Sequence, residues 1–558
     1  MANGISGLLN NSRSSLQAQQ SAIRVIGENI ANVNTEGYTR RIAGLESIAL
    51  NSQGGDISFG QGVNIGSISR EVDRFLESAL GDRLSAFSAA QIRENLLNRA
   101  QAPFALDSVS GNVGQKLNDF FSALDDLAVN PADIALRQSV IDQGESLVNA
   151  IHVTYDTVAS LQQEADGRIG ILIQDVNRIS GEIADLNLQI NASESGDQQN
   201  LPLRDKRDAL VRDLSELIGV STLEDSDGNL QVSLANGFAL VSGSTSRELE
   251  FVTDPTFAPP GGYPTGLNGF GMGHIVFDYD PSGAGSHLGL TNIIAAGGGE
   301  IGGLLSFRGV QDAADSTPFD AVGDAVTIAS SVEAISRDLL TRFNSRYIGS
   351  PNDGDNTIAG FQSSAVDLNG LNPAVFGLFD FVRPDAAALD ADGNGLPGPA
   401  DLNDAVTVGG VVSFASIINF VPDEPQDIAA ASDVDPGNGI EFGEGDNSIL
   451  ISILNERKVD RDYGAAFGIP AINDVSTIDE LYDSSVTTIG SLTRVAINTR
   501  ELEGDRVEQL ENEKAQKSGV SLDEEFARLI NFQRAFQGSA RMVGVADDLL
   551  AEVIGLLG

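Results

Sequence analysis

The chain has 558 residues, of which 41% are hydrophobic, so it is long enough to form several domains with sizeable cores. Its 79 acidic and 34 basic residues give a formal charge of -45, which disfavours contact with nucleic acid and with anionic membranes. It contains no cysteine, which excludes disulfides, thiolate metal sites and cysteine nucleophiles.

Nothing in the sequence indicates insertion into a membrane. No stretch approaches the ~18 to 20 consecutive apolar residues of a membrane span. The first twenty residues also lack the positive-then-apolar layout of a cleaved signal peptide. We therefore expect neither a membrane partner nor signal-peptide cleavage.

The N-terminal segment is predicted to form a helix from about Ile5 to Val33. Gly37 supplies the positive-φ residue expected just past its end. Residues 41–69 then alternate loosely and are rich in glycine, which suggests short strands or an extended arm. Heptad spacing keeps one face of a helix against a partner helix. Two series with this spacing run along the helix: Leu9, Leu16, Ile23 and Ile30, and Ile5, Ser12, Gln19, Ile26 and Val33.

The next part of the chain is predicted to be mainly helical. Asn130-Pro131 interrupts it, and Pro131 is suited to the first turn of the helix that follows. The helical stretches are approximately Val72–Arg99, Leu117–Leu127, Ile134–Asn191 and Leu203–Ile218.

The middle of the chain is predicted to contain two β-rich insertions. The period becomes alternating at Val220, and a β-hairpin is predicted to turn on Asn236-Gly237. The composition stays rich in Gly, Pro and Thr to about residue 299. Helix returns and is clearest over residues 326–343. Residues 351–446 are rich in Asp and in turn residues, with Arg383 as their one basic residue, and they indicate a second, acidic insertion.

The chain is predicted to end in two long helices. Thr477-Ile-Asp-Glu480 and Ser521-Leu-Asp-Glu524 both match the capping box that opens a helix. In both the first and the last helix of the chain, polar residues interrupt one heptad series. Each of these two helices is therefore weakly stable alone and needs a partner, either the other terminal helix or another copy of the chain. Two edge helices of an ordinary bundle would show similar spacing. The series in the last helix are Leu522, Leu529, Phe536, Val543, Leu550 and Leu557, and Phe526, Gln533, Ala540, Asp547 and Ile554.

These elements predict a multidomain α+β protein. Its long N- and C-terminal helices would pair as a coiled-coil core, beside a helical-bundle domain and inserted β-rich outer domains. The predicted domains are residues 1–70 with 518–558 as a terminal helical core with a connecting arm; 71–219 with 300–350 and 447–517 as a helical bundle; 220–299 as a β-rich insertion; and 351–446 as an acidic β-rich insertion.

Five stretches resemble bacterial flagellar axial proteins. Asn29-Ile-Ala-Asn-Val-Asn-Thr-Glu-Gly-Tyr-Thr-Arg40 is similar to the N-terminal signature of rod, hook and junction proteins. The other stretches narrow the resemblance to the hook-associated protein 1 family of hook-filament junction proteins. They are Asp119-Phe-Phe-Ser-Ala-Leu-Asp-Asp-Leu-Ala-Val-Asn-Pro-Ala-Asp133 with Leu136-Arg-Gln138, Arg204-Asp-Lys-Arg-Asp-Ala-Leu-Val211, Gly298-Gly-Glu-Ile-Gly-Gly-Leu-Leu305, and Ser518-Gly-Val-Ser-Leu-Asp-Glu-Glu-Phe526 with Phe532-Gln-Arg-Ala-Phe536.

The resemblance implies a structural, non-enzymatic subunit located outside the cell, at the junction between flagellar hook and filament. It implies export in unfolded form through the flagellar type III apparatus, and assembly with itself in a short helical ring. Its other partners would be the hook protein, a second hook-filament junction protein and an export chaperone on the C-terminal helix. The assembly interface would contain Ile5, Leu9, Leu16, Ile23, Ile26, Ile30, Leu522, Phe526, Leu529, Phe536, Val543, Leu550 and Leu557.

Three alternative functions remain open, and the most remote is a glycan-processing enzyme in the acidic insertion, which would need a concave acidic cleft. Another axial protein, such as hook or flagellin, would share the first stretch, although the stretches at residues 119 and 204 argue against it. A secreted calcium-binding adhesin would use the acidic insertion. There, Asp390, Asp392, Asn394 and Asp401 stand at positions one, three, five and twelve of a calcium-loop pattern, with Gly395 at position six. An Asp/Gly turn on an acidic surface is the competing interpretation.

The sequence identifies no catalytic residue. Gly297-Gly-Gly-Glu-Ile-Gly302 satisfies the dinucleotide pattern G-x-G-x-x-G, but Glu300 within the loop would repel a pyrophosphate. We therefore predict a packed turn there and no cofactor. No combination of serine, histidine and acid forms a recognisable nucleophile motif.

Overall fold

The computed structural model describes residues 2–35, 37–48, 62–105, 112–194, 199–225, 228–253, 267, 271–278, 288–310, 322–348, 364–366, 378–381, 413–428, 431–433, 447–467, 469, 472 and 475–557. Over these residues the fold is mostly helical, with small antiparallel sheets. None of the helices in these ranges combines the length and apolarity that crossing a membrane requires.

The helices are α1 (Ala2–Ala31), α2 (Arg74–Gln101), α3 (Val113–Val129), α4 (Ile134–Ser193), α5 (Leu201–Leu217), α6 (Thr291–Gly297), α7 (Gly299–Arg308), α8 (Asp324–Asp338), α9 (Asn344–Ile348), α10 (Ser448–Glu456), α11 (Tyr463–Phe467), α12 (Ile478–Ser518) and α13 (Leu522–Leu557). A π-helical turn, Leu339–Phe343, joins α8 to α9. Short 3-10 turns lie at Ala102–Phe104 and Pro425–Asp427.

The strands are β1 (Arg41–Ser47), β2 (Val63–Arg70), β3 (Val220–Glu224), β4 (Leu230–Leu234), β5 (Ala239–Ser242), β6 (Thr245–Ser246), β7 (Glu250–Val252), β8 (His274–Phe277), β9 (Leu288–Gly289), β10 (Ser364–Val366), β11 (Phe379–Phe381), β12 (Ile418–Phe420), β13 (Ala431–Asp433), β14 (Arg461–Asp462) and β15 (Val475–Ser476). They form the sheets β3-β4-β5-β6 and β7-β8-β9 and the pairs β1-β2, β10-β13, β11-β12 and β14-β15.

Two helix ends differ from the sequence expectation. Helix α1 ends at Ala31, and Gly37, with φ of +75°, lies in the turn that follows and not directly after the helix. Helix α4 begins at Ile134, so Pro131 precedes its first turn. The carboxylate of Asp133 accepts the backbone N–H of Ala135 at 2.8 Å and thereby caps this helix.

Two local predictions are confirmed, and a third is modified. Strands β4 and β5 pair through the turn at Asn236-Gly237, where Gly237 has φ of +84°. Thr477 and Glu480 exchange hydrogen bonds as a capping box, with the Thr477 N–H donating to Glu480 at 3.0 Å. The modified prediction is the capping box at Ser521-Leu-Asp-Glu524, because the Glu524 carboxylate accepts a hydrogen bond from the side chain of Arg40.

The chain divides into two compact units. Unit 1 comprises residues 1–87, 175–248 and 501–558, and unit 2 comprises residues 88–174 and 249–500. Three long helices, α2, α4 and α12, contribute residues to both.

In unit 1, helix α5 packs beside the β3-β6 sheet through a buried polar centre. The side chain of Arg207 is fully buried and donates to Asn187 at 2.8 Å, to the Gly228 carbonyl at 2.7 Å and to Glu224 at 2.7 Å. Burial lowers the pKa of Arg207, and Glu224 acts against that change. Asn187 also donates to the Leu230 carbonyl at 2.9 Å. The resembling stretch at residues 204–211 therefore anchors a sheet to a helix.

Unit 2 has an aromatic and ionic core. Phe120 contacts Phe121 and Phe379, with ring centroids 5.6 and 5.7 Å apart. Helix α8 is buried along nearly all its length. Its Glu333 accepts from the backbone N–H of Phe414 at 3.1 Å and from Arg337 at 2.8 Å. Fixed polar contacts of this kind, added to aromatic packing, specify one arrangement of the core.

Candidate assembly interface of the terminal helices

The stretch that resembles the axial signature begins in the last turn of α1 and ends at β1. After α1 the backbone turns through hydrogen bonds from Asn32 to Glu28, from Thr35 to Asn32 and from Tyr38 to Thr35. The segment thus reverses direction within a few residues. As a result, the residues on either side of the turn lie beside one another.

The side chain of Asn29 is the centre of this turn. It is 1% exposed, and its amide donates to the Arg41 carbonyl at 2.9 Å and to Glu525 at 3.1 Å. Its carbonyl oxygen accepts from the Tyr38 hydroxyl at 2.9 Å and from the Arg41 N–H at 3.0 Å. An asparagine amide has two donors and one acceptor oxygen with two lone pairs. All of that capacity is used here, so Asp, which lacks the donors, would not replace it.

Arg40 and Glu525 form a buried ion pair between the signature turn and α13. The side chains of Arg40 and Glu525 are 7% and 1% exposed. The Arg40 Nε donates to Glu525 Oε1 at 2.9 Å, and its Nη2 lies 2.8 Å from the same oxygen. Arg40 also contacts Glu524 at 2.9 Å, while its backbone N–H donates to the Ser518 carbonyl at 3.0 Å. Burial acts to lower the pKa of Arg40, but the hydrogen bond and charge of Glu525 more than offset it, and the net effect raises the pKa.

The same turn is also joined to helix α5. Thr39 donates to Asp205 at 2.6 Å. Arg70, at the end of β2, donates to Asp205 at 2.9 Å and to Asp208 at 2.8 Å. Burial would lower the pKa of Arg70, but the two aspartates raise it overall, so the guanidinium stays charged. The axial signature thus connects α1, α5 and α13 through polar contacts.

Helices α1 and α13 pack together along a seam rich in small and polar residues. Ser15 and Ser539 share a hydrogen bond of 2.9 Å, and Gln19 donates to Ser539 at 3.2 Å. The buried positions of α13 follow one heptad series, and those of α1 lie on the facing side of that helix. They are Glu525, Ser539 and Ala546 on α13, and Ser12, Ala18, Ala22, Val25, Ile26 and Asn29 on α1.

The structure places the thirteen sequence-predicted interface residues at different depths. On α1, Ile26 is buried, and Leu9, Leu16, Ile23 and Ile30 are half-buried. On α13, Leu529 and Val543 are half-buried, whereas Leu522, Phe526, Phe536 and Leu550 are 41%, 48%, 37% and 37% exposed. The backbones of Ile5 and Leu557 are helical, and their side chains lie outside the described part of the structure.

Helix α13 therefore exposes more apolar surface than a helix of a solitary domain would. Ile530, Met542, Val545 and Leu549 are 49%, 46%, 54% and 43% exposed, in addition to the predicted residues. Exposed apolar surface of this extent marks interaction sites.

The structure adds residues that the hydrophobic pattern missed. Glu525, Tyr38 and Asp205 organise the site, yet none belongs to a heptad series of apolar residues. One feature of the sequence could have indicated the role of Glu525: this acidic residue directly precedes Phe526, which belongs to the predicted interface between the helices. A carboxylate buried in a helix interface needs a cationic partner, and Arg40 is that partner.

The other sequence candidates are placed as follows. Asp390, Asp392, Asn394 and Asp401 lie outside the described residues, and no group of acids and histidines within the described ranges is arranged to hold a metal. The glycine-rich segment at 297–302 spans the junction of α6 and α7 and the first turn of α7, and its Gly298 and Gly299 have φ of +87° and +75°. Glu300 pairs with Arg168.

Three family models match parts of the chain. The model for the flagellar hook-associated protein FlgK helical domain matches residues 104–346. The model for the flagella basal body rod protein matches residues 9–39, and that for the flagellar basal body rod FlgEFG protein C-terminal region matches residues 515–556. The latter two matches contain residues 29–39 of the axial signature and the α13 segment that includes Glu525.

Full-length relatives share the same description. Flagellar hook-associated protein 1 of Escherichia coli K12 is 26% identical over 99% of this chain and 100% of its own length. The Salmonella typhimurium protein is also 26% identical, over 99% and 100%, and the Bacillus subtilis protein is 23% identical, over 99% and 98%.

The fold is similar to that of a solved relative, the flagellar hook junction protein FlgK from Burkholderia pseudomallei. The TM-score is 0.55 over 79% of this chain and 99% of that chain, at 14% identity. Together with the model matches, the full-length relatives show that the chain is similar over nearly all of its length to flagellar hook-associated protein 1.

Proposed function

We propose that this protein is a structural subunit of the bacterial flagellum that forms the junction between hook and filament. The observation that carries the proposal is the terminal helix pair. The axial signature is built into a buried ionic cluster that joins both ends of the chain. The helix so held exposes a series of large apolar residues.

Self-assembly would proceed through these terminal helices. Within one copy, Leu522, Phe526 and Phe536 stay more than a third exposed. Packing against neighbouring copies would remove them from water, which stabilises the assembly by roughly 25 cal/mol for each Å² of apolar surface buried. Residues 1–70 with 518–558 would then be the assembling part, with α1 and α13 pairing as a coiled coil, and the remaining predicted domains would lie outside it.

The further partners follow from the same position in the flagellum. A junction requires contact with the hook protein on one side and with a second hook-filament junction protein on the other. The export apparatus of the flagellum would carry the chain in unfolded form, and the absence of cysteine is compatible with such a route. Before export, a chaperone would cover the exposed apolar residues of α13.

Deletion of the gene in its source bacterium tests the junction role. We expect cells with complete hooks, no filaments, and flagellin monomers in the medium. Reintroduction of the parental gene should restore filaments. Missing hooks would place the protein in the hook or rod, and normal filaments after deletion would contradict a flagellar role.

Two matched variants test the use of α13 in assembly. Phe526→Ser removes an exposed apolar residue from α13, and Phe75→Ser removes an 84% exposed residue from α2. Phe526→Ser should reduce the number of filaments per cell, and Phe75→Ser should not. Equal numbers in the two strains would argue against assembly through this face of α13.

A further inference from the structure

The unpaired arginines of this acidic protein are concentrated on the terminal helices. Most described arginines pair with a carboxylate. Six arginines in the described ranges make neither an ion pair nor a hydrogen bond. Five of them lie on α1 (Arg13 and Arg24) and on α13 (Arg528, Arg534 and Arg541), and the sixth, Arg494, lies on α12. Residues 1–27 and 526–546 contain no acidic residue at all.

Two of these arginines belong to a continuous outer stripe of α13. Successive members are three, four or seven residues apart, which keeps them on one side of a helix. All are exposed, and they lie opposite the buried series of Glu525, Ser539 and Ala546. The outer stripe consists of Phe526, Ile530, Arg534, Arg541, Val545, Asp548 and Glu552.

The outer stripe carries opposite charges at its two ends. Arg534 and Arg541 precede Asp548 and Glu552, with exposed apolar residues between and before them. Within one helix, Arg541 and Asp548 are seven residues apart, about 10 Å along the axis, so they do not meet as an i,i+4 pair does. The stripe is therefore complementary to a shifted copy of itself, whereas its charges are left unpaired within one chain.

We propose that the basic half of the outer stripe binds the acidic half of the outer stripe on a second copy of this chain. A parallel neighbour displaced by 11 residues places Arg541 beside Glu552, and one displaced by 14 places Arg534 beside Asp548. Both contacts are within reach of flexible arginines at an axial offset of about 16 to 21 Å. Such a contact is head-to-tail and does not close on itself, so it propagates into a helical assembly.

This inference rests on the proposed junction function and specifies the contact between subunits. The apolar members of the stripe, Phe526, Ile530 and Val545, are each about half exposed and would be covered by the same contact. A partner of another kind would need its own basic segment followed by an acidic segment at the same spacing. A neighbouring copy of this chain already carries both segments.

Disulfide cross-linking tests the contact directly, since the natural chain has no cysteine. The variant Arg534→Cys with Asp548→Cys carries its two thiols about 21 Å apart within one copy, too far for an internal disulfide. In flagella isolated from a deletion strain that expresses this variant, mild oxidation should give a ladder of covalent oligomers. The control, Arg494→Cys with Asp548→Cys, should remain monomeric. Filament-bearing cells without a ladder would overturn the proposal.

Charge exchange provides a second test. Arg534→Glu with Arg541→Glu should cause loss of filaments through repulsion between copies, and so should Asp548→Arg with Glu552→Arg. The quadruple variant restores the attraction with reversed sign and should regain filaments. Arg494→Glu is the matched control and should behave as the parent.

The outcomes of charge exchange separate this inference from the junction role. A quadruple variant no better than the double variants would assign the stripe to a different partner and would overturn the proposal. Full filaments in both double variants would also overturn it. In either case the deletion phenotype still decides the junction role by itself.

Discussion

Replacement of Arg40 by alanine should loosen the attachment of α13 to the signature turn. The change removes the Arg40 guanidinium and leaves the 1% exposed Glu525 with Asn29 as its donor. Breaking a buried ion pair by removing one partner costs about 3 to 5 kcal/mol. Because Asn29 continues to donate to Glu525, we expect the lower end, about 3 kcal/mol.

Arg41→Ala is the matched control in the neighbouring residue. Arg41 pairs with Glu28 at 2.9 Å, but that carboxylate is 44% exposed, and the guanidinium stacks over Tyr38 at 5.0 Å. Partly exposed pairs and cation-π contacts of this kind contribute at most about 1 kcal/mol each. Both variants keep the backbone hydrogen bonds of the turn. The other partners of Arg40, Glu524 and Glu71, are about as exposed as Glu28 or more so, and therefore the difference between the two variants reports chiefly the buried pair.

Hydrogen exchange measured by mass spectrometry on the purified chain is the appropriate assay. At 1.4 kcal/mol per factor of ten, Arg40→Ala should reduce protection of the Asn29 and Glu525 segments by about a hundredfold or more. Arg41→Ala, which removes at most about 2 kcal/mol in total, should reduce it by no more than about 25-fold. Equal losses in the two variants would show that Arg40 does not hold α13 by its buried ion pair, and would refute the reasoning.

Three further predictions concern other parts of the chain. Gly303→Ala should destabilise unit 2 by about 1 to 3 kcal/mol, since a Cβ there would overlap the backbone of α2. Its control, Gly490→Ala, lies in open space on α12 and should stabilise the protein by about 0.5 to 1 kcal/mol. Thermal unfolding followed by circular dichroism should show shifts of opposite sign for the two variants. Burial raises the pKa of Asp338 from 3.8 to about 6, so the folded state holds its proton more tightly and this group's contribution to stability is lost as pH rises from about 4 to about 6. Urea unfolding measured at about pH 4 and about pH 6 should show a smaller decrease in the free energy of unfolding for Asp338→Asn than for the parent. An identical decrease in the two proteins would contradict this account. The calcium-loop pattern predicts that about 1 mM calcium raises the unfolding temperature, and that Asp390→Asn abolishes the increase; no response in the parent would leave the Asp/Gly turn as the correct interpretation.

Much of the helical architecture could be predicted because its signals are local. A capping box such as Thr477–Glu480 satisfies backbone donors within one turn, so four residues suffice to place the start of α12. The hairpin at Asn236-Gly237 is equally local, since Gly237 adopts the positive φ that the turn requires. Long-range contacts are not needed for either.

The start of α4 shows where local signals conflict. Pro131 fits a first helical turn, and Asp133 fits a cap two residues later. The cap prevails, because Arg137 donates to the Pro131 carbonyl at 2.7 Å and holds the proline in the preceding turn. Arg137 also donates to carbonyls near residue 428, and these contacts join chain segments far apart in sequence.

The packing of the terminal helices was harder to predict because its buried positions are not the most apolar ones. Ser539 and Ala546 face inward, while Leu522 and Phe526 remain exposed. Small residues allow two helices to approach closely, and a pattern of large apolar residues does not report them. The heptad spacing indicated two helices with partners, but it did not distinguish the face used within one copy from a face available to the next.

The signature segment accounts for this separation of faces. Asn29 and Arg40 satisfy Glu525 inside one copy, so charge and hydrogen bonds hold the inner face of α13 together with the half-buried Leu529 and Val543. Other large apolar residues, among them Phe526, Ile530 and Val545, are then free to occupy the outer face. A helix held to its own chain by polar contacts can present that face to neighbours without exchanging its internal partner. In the proposed assembly, the inner pairing would stay the same while the outer face alone passes from water into the contact with a neighbouring copy.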